Sequence, residues 1–242
     1  MSVTDISTRK TKGGHYEIRN ATSEKEAELW IYDEISRFWG IDAGEFNRDL
    51  AKITAPTIKL RLNSPGGDVW SGISIYNALR RHPSRVETYV DGVAASIASV
   101  IALAGDEVIM PANTFMMIHN AHAIALGDAR AMREMADLLD KHTDAIRDIY
   151  VERTGRPEGE ITKLMDAETW MTAQEAKDAG FASTVAEDLD VAACADLSAF
   201  EFKHVPAALT AQTEPASLTE AELEELYVGR RQNRELVASV MK

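Results

Sequence analysis

The sequence predicts an α/β fold with a largely parallel sheet, and three observations carry that prediction. From residue 27 onward short apolar strands alternate with helical patterns, the helical patterns repeat apolar residues at spacings of three and four, and Gly or Pro marks the joints. With 242 residues and 45% apolar content, the chain is long enough to bury one α/β core and still carry extensions. It holds 26 Lys plus Arg against 39 Asp plus Glu, and a net charge of −13 argues against nucleic acid or an anionic membrane as partner. Cys194 is the single cysteine, so there is neither a disulfide framework nor a cysteine metal site, which fits a reducing compartment. The N-terminus lacks the apolar core of a signal peptide, and the longest nearly continuous apolar run, 93–104, is too short to span a bilayer. The chain reads as soluble and not exported, in the cytoplasm.

The elements follow in order. Residues 1–26 read as a flexible N-terminal arm, in which "HYEIRN" becomes a strand if a partner edge is available. "TIKLRLN" predicts a strand, "VWSGISIYNALRRH" a helix, "VETYVD" a strand, "IASVIALAG" a helix, and "DEVIM" and "TFMMIH" strands. Met132, Met135, Ala136, Leu139, Thr143, Ile146, Ile149 and Tyr150 recur at helical spacing and define one long amphipathic helix. Its stripe needs a partner surface, in its own domain or in a second copy. "EGEITKLM" and "TAQEAKDAG" predict two more helices, the second with Thr172 as N-cap, Glu175 three residues on and Gly180 at its end. Past about residue 190 the composition turns to Pro, Ala, Thr and Ser. The expected organisation is therefore the arm, a domain over 27–190, a linker over 191–216, and a helix over 217–242 opened by a Thr219 to Glu222 capping box.

Two strand-to-helix joints could carry chemistry. In "SPGGDVWSG" Gly66 and Gly67 permit positive φ and leave backbone N–H groups unshielded, suited to an anion or a developing oxyanion, although an ordinary turn has the same composition. No full phosphate loop is present. In "DGVAASIAS" Ser96 falls at a helix start, where the N–H of Ile97 would face a carbonyl that Ser96 attacked; taken alone, the stretch is also the usual signature of a packing or capping serine. A nucleophilic serine needs a base. Among six histidines, His82 sits in a charged helix end, His142 within the long helix, and His15 and His204 in segments expected to be flexible, so all four read as surface groups. His119 and His122, at the end of an apolar strand, are the candidates for a base, or for partly buried histidines bonded to the backbone. In "MDAETWMTA" both Asp166 and Glu168 could orient an imidazole, or merely cap a helix. Metal ligation is poorly supported, because no H-E-x-x-H or comparable spacing occurs.

Taken in order, "LNSPGGDVWSGISIYNAL", "DGVAASIAS", "MMIHNAH" and "ETWMTAQEAKDAGFAS" resemble the proteolytic subunit of the Clp protease across residues 27–186. The resemblance implies a crotonase-like spiral of ββα units and assembly into rings, with a long helix at 128–152 joining two rings. It implies Ser96 as nucleophile, His119 as base, and Gly67 with Ile97 as oxyanion donors. The position matching the family's aspartate is Glu168, a departure that keeps Asp166 as the alternative acid. A substrate strand is implied between Asp68, Val69 and Trp70 on one side and Asn120, Ala121 and His122 on the other; "NAHAIALGD" departs from the family there by lacking the usual Pro and much of the Gly.

The stretches at 117–155 and 165–181 look like the branch found in phage and prophage head operons. That implies head-protein processing during prohead maturation, with a capsid or scaffold polypeptide as substrate, in the host cytoplasm or prohead. No cofactor is implied. The alternatives are a general degradation subunit fed by a separate ATPase, an acyl-CoA enzyme on the same fold, and a catalytically silent oligomeric scaffold.

Overall fold

A computed structural model describes residues 6–10, 15–19, 21–36, 40–188, 197, 200 and 202–210. The core of the fold is a nine-stranded mixed sheet with helices packed on it. Its strands are β1 (Ile6–Lys10), β2 (His15–Arg19), β3 (Glu26–Ile31), β4 (Thr57–Ser64), β5 (Arg85–Ala95), β6 (Glu107–Pro111), β7 (Phe115–Ile118), β8 (Thr169–Thr172) and β9 (Thr184–Ala186). The main path runs β1-β2-β3-β4-β5-β6-β9, with β7 pairing β5 and β8 pairing β7. From β3 through β6 to β9 every pairing is parallel, as the alternation of strands and helices requires.

Alternation sets the register. Ala27, Leu29 and Ile31 on β3 and Ile58, Leu60 and Leu62 on β4 all face the core, and the pairing Leu29 to Leu60 and Ile31 to Leu62 keeps them on one face. Complete burial of each of these leucine and isoleucine side chains is worth roughly 1.5–3 kcal/mol. The strand expected at "VETYVD" extends through the glycine turn to Ala95 and is buried without a break from Val90 to Ala95. It serves two partners in succession. Glu87 to Tyr89 pair with β6, and Val93 to Ala95 pair with β7. Between them the register with β4 shifts at Leu62/Ser64, where the Asn63 side-chain oxygen accepts the N–H of Val93 at 3.1 Å.

The helices are α1 (Ala43–Leu50), α2 (Val69–Arg81), α3 (Ile97–Ala102), α4 (Ala129–Thr154), α5 (Glu158–Asp166), α6 (Ala173–Asp178) and the short α7 (Ala207–Thr210). α6 starts on the predicted capping box, Thr172 Oγ1 accepting the N–H of Glu175 and the Glu175 carboxylate accepting the N–H of Thr172. Five elements among the described residues went unread in the sequence, two of them β1, within the expected arm, and α7, within the expected linker. The other three are α1, capped by Asp42, and the strands β8 and β9, which are only four and three residues long.

The long helix answers its question about partners by dividing in two. His142, Ile146 and Tyr150 in its C-terminal half are buried on the domain, whereas Met132 and Leu138 in its N-terminal half are 37% and 38% exposed.

Both ends of the chain depart from the expected organisation. "HYEIR" found its partner edge: β2 pairs antiparallel with β3, and Tyr16 and Ile18 are buried, the Tyr16 hydroxyl donating to Asp49 at 2.7 Å. These residues belong to the sheet rather than to a free arm. Beyond the expected boundary at 190, Leu197 and Leu209 are buried against Val93, Ala95 and Met117, with Phe202 and Val205 packed alongside. Residues 202–209 therefore pack on the domain and do not act there as a bare linker. The helix expected over 217–242 lies outside the described residues.

Candidate active site

The two strand-to-helix joints meet. In the first, Gly66 and Gly67 adopt φ of 93° and 138°. A Cβ on Gly66 would lie 2.7 Å from the Ala95 carbonyl oxygen and 2.8 Å from Ser96 Cβ, and one on Gly67 would lie 2.2 Å from the Ile35 carbonyl oxygen. Only glycine permits this approach. The turn is pinned from the other side, because the N–H of Ile35 donates to Gly66 O and the N–H of Asp68 donates to Ile35 O, both at 2.7 Å. Among the described residues the N–H of Gly67 has no acceptor.

In the second joint β5 ends at Ala95 and α3 begins at Ile97, leaving Ser96 between them at φ 54° and ψ −129°. A non-glycine residue held there costs roughly 1–3 kcal/mol and persists only when its surroundings fix it. Here they do. The Ser96 N–H donates to Met117 O at 3.0 Å, and Ser96 O accepts from the Ser99 N–H at 3.0 Å and the Ser99 hydroxyl at 2.6 Å. The Ser99 hydroxyl also meets the fully buried Tyr150 hydroxyl at 2.7 Å, so α4 braces the elbow. Burial holds the Tyr150 phenol well above its usual pKa. Tyr150 was legible in the sequence as a stripe residue, but nothing there paired it with Ser99.

β7 carries the imidazole. It lies beside the second half of β5, and the chain leaves it at Ile118, so His119 projects at the sheet end beside Ser96. His119 Nε2 stands 2.7 Å from Ser96 Oγ. Burial lowers the imidazole pKa to about 4; the neighbouring His122 also lowers it, the Glu168 carboxylate raises it, and Lys203 lowers it. The His122 ring centroid is 5.1 Å from that of His119.

The two candidate acids separate clearly. Asp166, exposed at the end of α5, accepts from the Asn120 side-chain amide at 2.8 Å. Glu168, at φ 49°, is the carboxylate that acts on His119. Among the described residues no hydrogen bond joins His119 Nδ1 to a carboxylate. Glu168 Oε1 instead accepts the backbone N–H groups of Lys203 at 2.6 Å and His204 at 3.0 Å, with the Trp170 indole N–H at 3.5 Å.

A cavity of about 190 Å³ opens over Ser96 and His119. Gly67, Val69, Ile97, Asn120, Ala121 and His122 line it, together with Phe200 and Phe202 from the C-terminal segment. Of the expected groove residues, Asp68 serves as N-cap of α2, accepting the Ser71 N–H at 2.8 Å, and Trp70 stands edge-on to the His142 ring at 4.5 Å. That contact corrects the surface reading of His142, which is only 9% exposed, its Nε2 buried and without a hydrogen-bond partner among the described residues. His82 is partly buried at the end of α2, accepting the Ser84 N–H at Nδ1. His15 lies in β2, and His204 contributes its amide to Glu168.

Fold and site together define an α/β protein with a serine–histidine pair at a strained strand-to-helix elbow, faced by a glycine turn. Residues 50–188 match the family model described as Clp protease. The chain belongs to the Clp protease family. It is 35% identical over 136 residues to "ATP-dependent Clp protease proteolytic subunit 1" of Streptomyces avermitilis, covering 55% of this chain and 62% of that protein. It is 35% identical over 130 residues to the proteolytic subunit of Pleurastrum terricola, 52% of this chain and 66% of that protein. The match to subunit 1 of Chlamydia caviae is 31% over 166 residues, 65% of this chain and 81% of that protein. The chain thus spans somewhat under two thirds of the first two relatives. No helix among the described residues is long and apolar enough to cross a membrane.

Proposed function

We propose that the protein is a serine endopeptidase, and the observation that carries this reading is the 2.7 Å contact between His119 Nε2 and the hydroxyl of a strained Ser96. His119 accepts the Ser96 proton as Oγ attacks the peptide carbonyl, the N–H groups of Gly67 and Ile97 hold the oxyanion, and His119 returns the proton to the leaving amine. His119 then takes a proton from water, which hydrolyses the acyl-enzyme. The Ile97 N–H suits its part because it belongs to the first turn of α3, where backbone donors have no intrahelical acceptor. Glu168 is the acid that steadies the imidazolium. The substrate backbone adds as a strand between residues 68–70 and 120–122.

The names of the relatives favour polypeptides supplied by a separate ATPase. Head-protein processing is the narrower reading, and the resemblance at 117–155 and 165–181 supports it. The exposed half of α4, with Met132 and Leu138, supports assembly of copies into a homo-oligomer.

The test is covalent labelling by a fluorophosphonate with peptide mapping. Stoichiometric modification of Ser96 that vanishes in His119→Ala is expected; an unlabelled, correctly assembled oligomer would instead support a silent scaffold. A second expectation concerns the glycine turn. Gly67→Ala forces a Cβ into the Ile35 carbonyl and displaces the oxyanion donor, so peptide kcat/KM should fall by roughly 100-fold or more. Unaltered kcat/KM in that variant would remove Gly67 from the oxyanion hole.

A further inference from the structure

Residues 202–209, with Leu197 and Phe200, form a strap beside the site that the family model, ending at residue 188, does not include. We propose that this strap is a working part of the active site: the Lys203 and His204 amides position the Glu168 carboxylate, and the Phe200 and Phe202 rings wall the substrate cavity. The inference rests on the proposed roles of Ser96, His119 and Glu168.

Three independent contacts fix the strap. Leu197 and Leu209 are 7% and 4% exposed, buried on Val93, Ala95 and Met117, which are completely buried. Ala95 directly precedes Ser96, and Met117 accepts the Ser96 N–H, so the strap is anchored on the same strand ends that set the serine and the imidazole. Next come the two N–H bonds to Glu168 Oε1, at 2.6 Å from Lys203 and 3.0 Å from His204, charge-assisted and therefore stronger than ordinary amide bonds. Finally, Phe202 meets His119 edge-on at 5.8 Å and Trp170 at 5.6 Å, and Phe200 stacks on Phe202 at 5.5 Å.

The cavity decides between completing the site and blocking it. Phe200 and Phe202 border it while Ser96, His119 and Gly67 still line it, so the strap bounds the reaction space without filling it. The rings exclude water from the imidazole on that side. With Oε1 taken by the strap, Glu168 is left Oε2 to face the positive charge that develops on His119. A carboxylate fixed in this way is a positioning device, since the two amides touch neither substrate nor reacting atoms.

The test uses the full chain and a fluorophosphonate that reports Ser96. Lys203→Pro removes the N–H donor; Lys203→Ala keeps the N–H and removes the ammonium. Comparing the two cancels the ammonium, which itself lowers the His119 pKa. Lys203→Pro is expected to label at least roughly tenfold more slowly than Lys203→Ala, the scale of losing one charge-assisted bond. Its acid limb should also move to lower pH, because a loosened Glu168 supports the imidazolium less. Phe202→Ala, which keeps every backbone donor, is expected to raise by roughly tenfold the ratio of kcat/KM for peptides with a bulky residue over a small one before the scissile bond. If Lys203→Pro fails to fold, this selectivity ratio carries the test. Equal labelling rates and pH limbs for the two Lys203 variants, with unchanged Phe202→Ala selectivity, would overturn the proposal. So would faster labelling in Lys203→Pro and Phe202→Ala, which would make the strap an autoinhibitory cover. In both cases Ser96 still labels, whereas a wild type that does not label sinks the endopeptidase reading and this inference with it.

Discussion

Ser96→Ala is expected to abolish peptide hydrolysis, lowering turnover by about four orders of magnitude or more, with oligomeric assembly and the unfolding midpoint essentially retained. The activity loss follows from chemistry. Without Oγ no acyl-enzyme forms, and the donors at Gly67 and Ile97 have only water to assist. The retention of structure follows from geometry, because what fixes residue 96 is its backbone: its N–H on Met117 and its carbonyl on Ser99. The elbow's φ of 54° is as strained for alanine as for serine, so the substitution neither relieves nor adds to it. Turnover with purified wild type and variant, alongside sedimentation, checks both halves. Hydrolysis by Ser96→Ala at the wild-type rate would remove Ser96 from the mechanism, and loss of assembly would show that the hydroxyl does structural work beyond its hydrogen bond to His119.

Much of this arrangement was legible in the sequence, and the exceptions share a cause. Strands β4, β6 and β7 and helices α2, α4 and α6 each carry enough alternation, helical spacing or capping chemistry to be read locally. Ser96 and His119 were legible only as candidates, beside a packing serine and His122 as alternatives, and it was the resemblance of the joined motifs to the Clp family that singled them out. What escaped reading is held by distant partners. β8 has four residues and no alternation of its own, and exists because "TWMT" completes β7. β2 could be read only as a conditional strand, and the edge of β3 is what makes it one. His142 looks solvated on a helix otherwise rich in charge, and is buried because Trp70 from α2 covers it. The strap is the largest case. "HVPAALTAQTEPAS" has the composition of a linker, and the strap's Leu197, Phe202, Val205 and Leu209 side chains find a surface only after β5 and β7 have assembled.

Glu168→Gln and Asp166→Asn are expected to separate by at least an order of magnitude. Glu168→Gln should lower kcat/KM by roughly 100-fold or more, because the amide has no net charge to set against the imidazolium of the transition state. Its side-chain oxygen still accepts the Lys203 and His204 amides, so the fold around β8 survives and the loss is electrostatic. Asp166→Asn should cost no more than about threefold, since Asp166 is exposed and bonded to Asn120 rather than to the imidazole. The pH profile gives the second reading. His119 must be neutral to accept the serine proton, and its pKa of about 4 places the acid limb of kcat/KM near pH 4, below the ordinary histidine range. Glu168 raises that pKa, so replacing it by Gln moves the limb to still lower pH while the plateau falls. Asp166→Asn leaves the limb in place. A large plateau loss confined to Asp166→Asn would transfer the acid's role to Asp166. The carboxylate would then have to reach His119 by breaking its bond to Asn120, a movement of the end of α5 that a structure of the acylated protein would reveal.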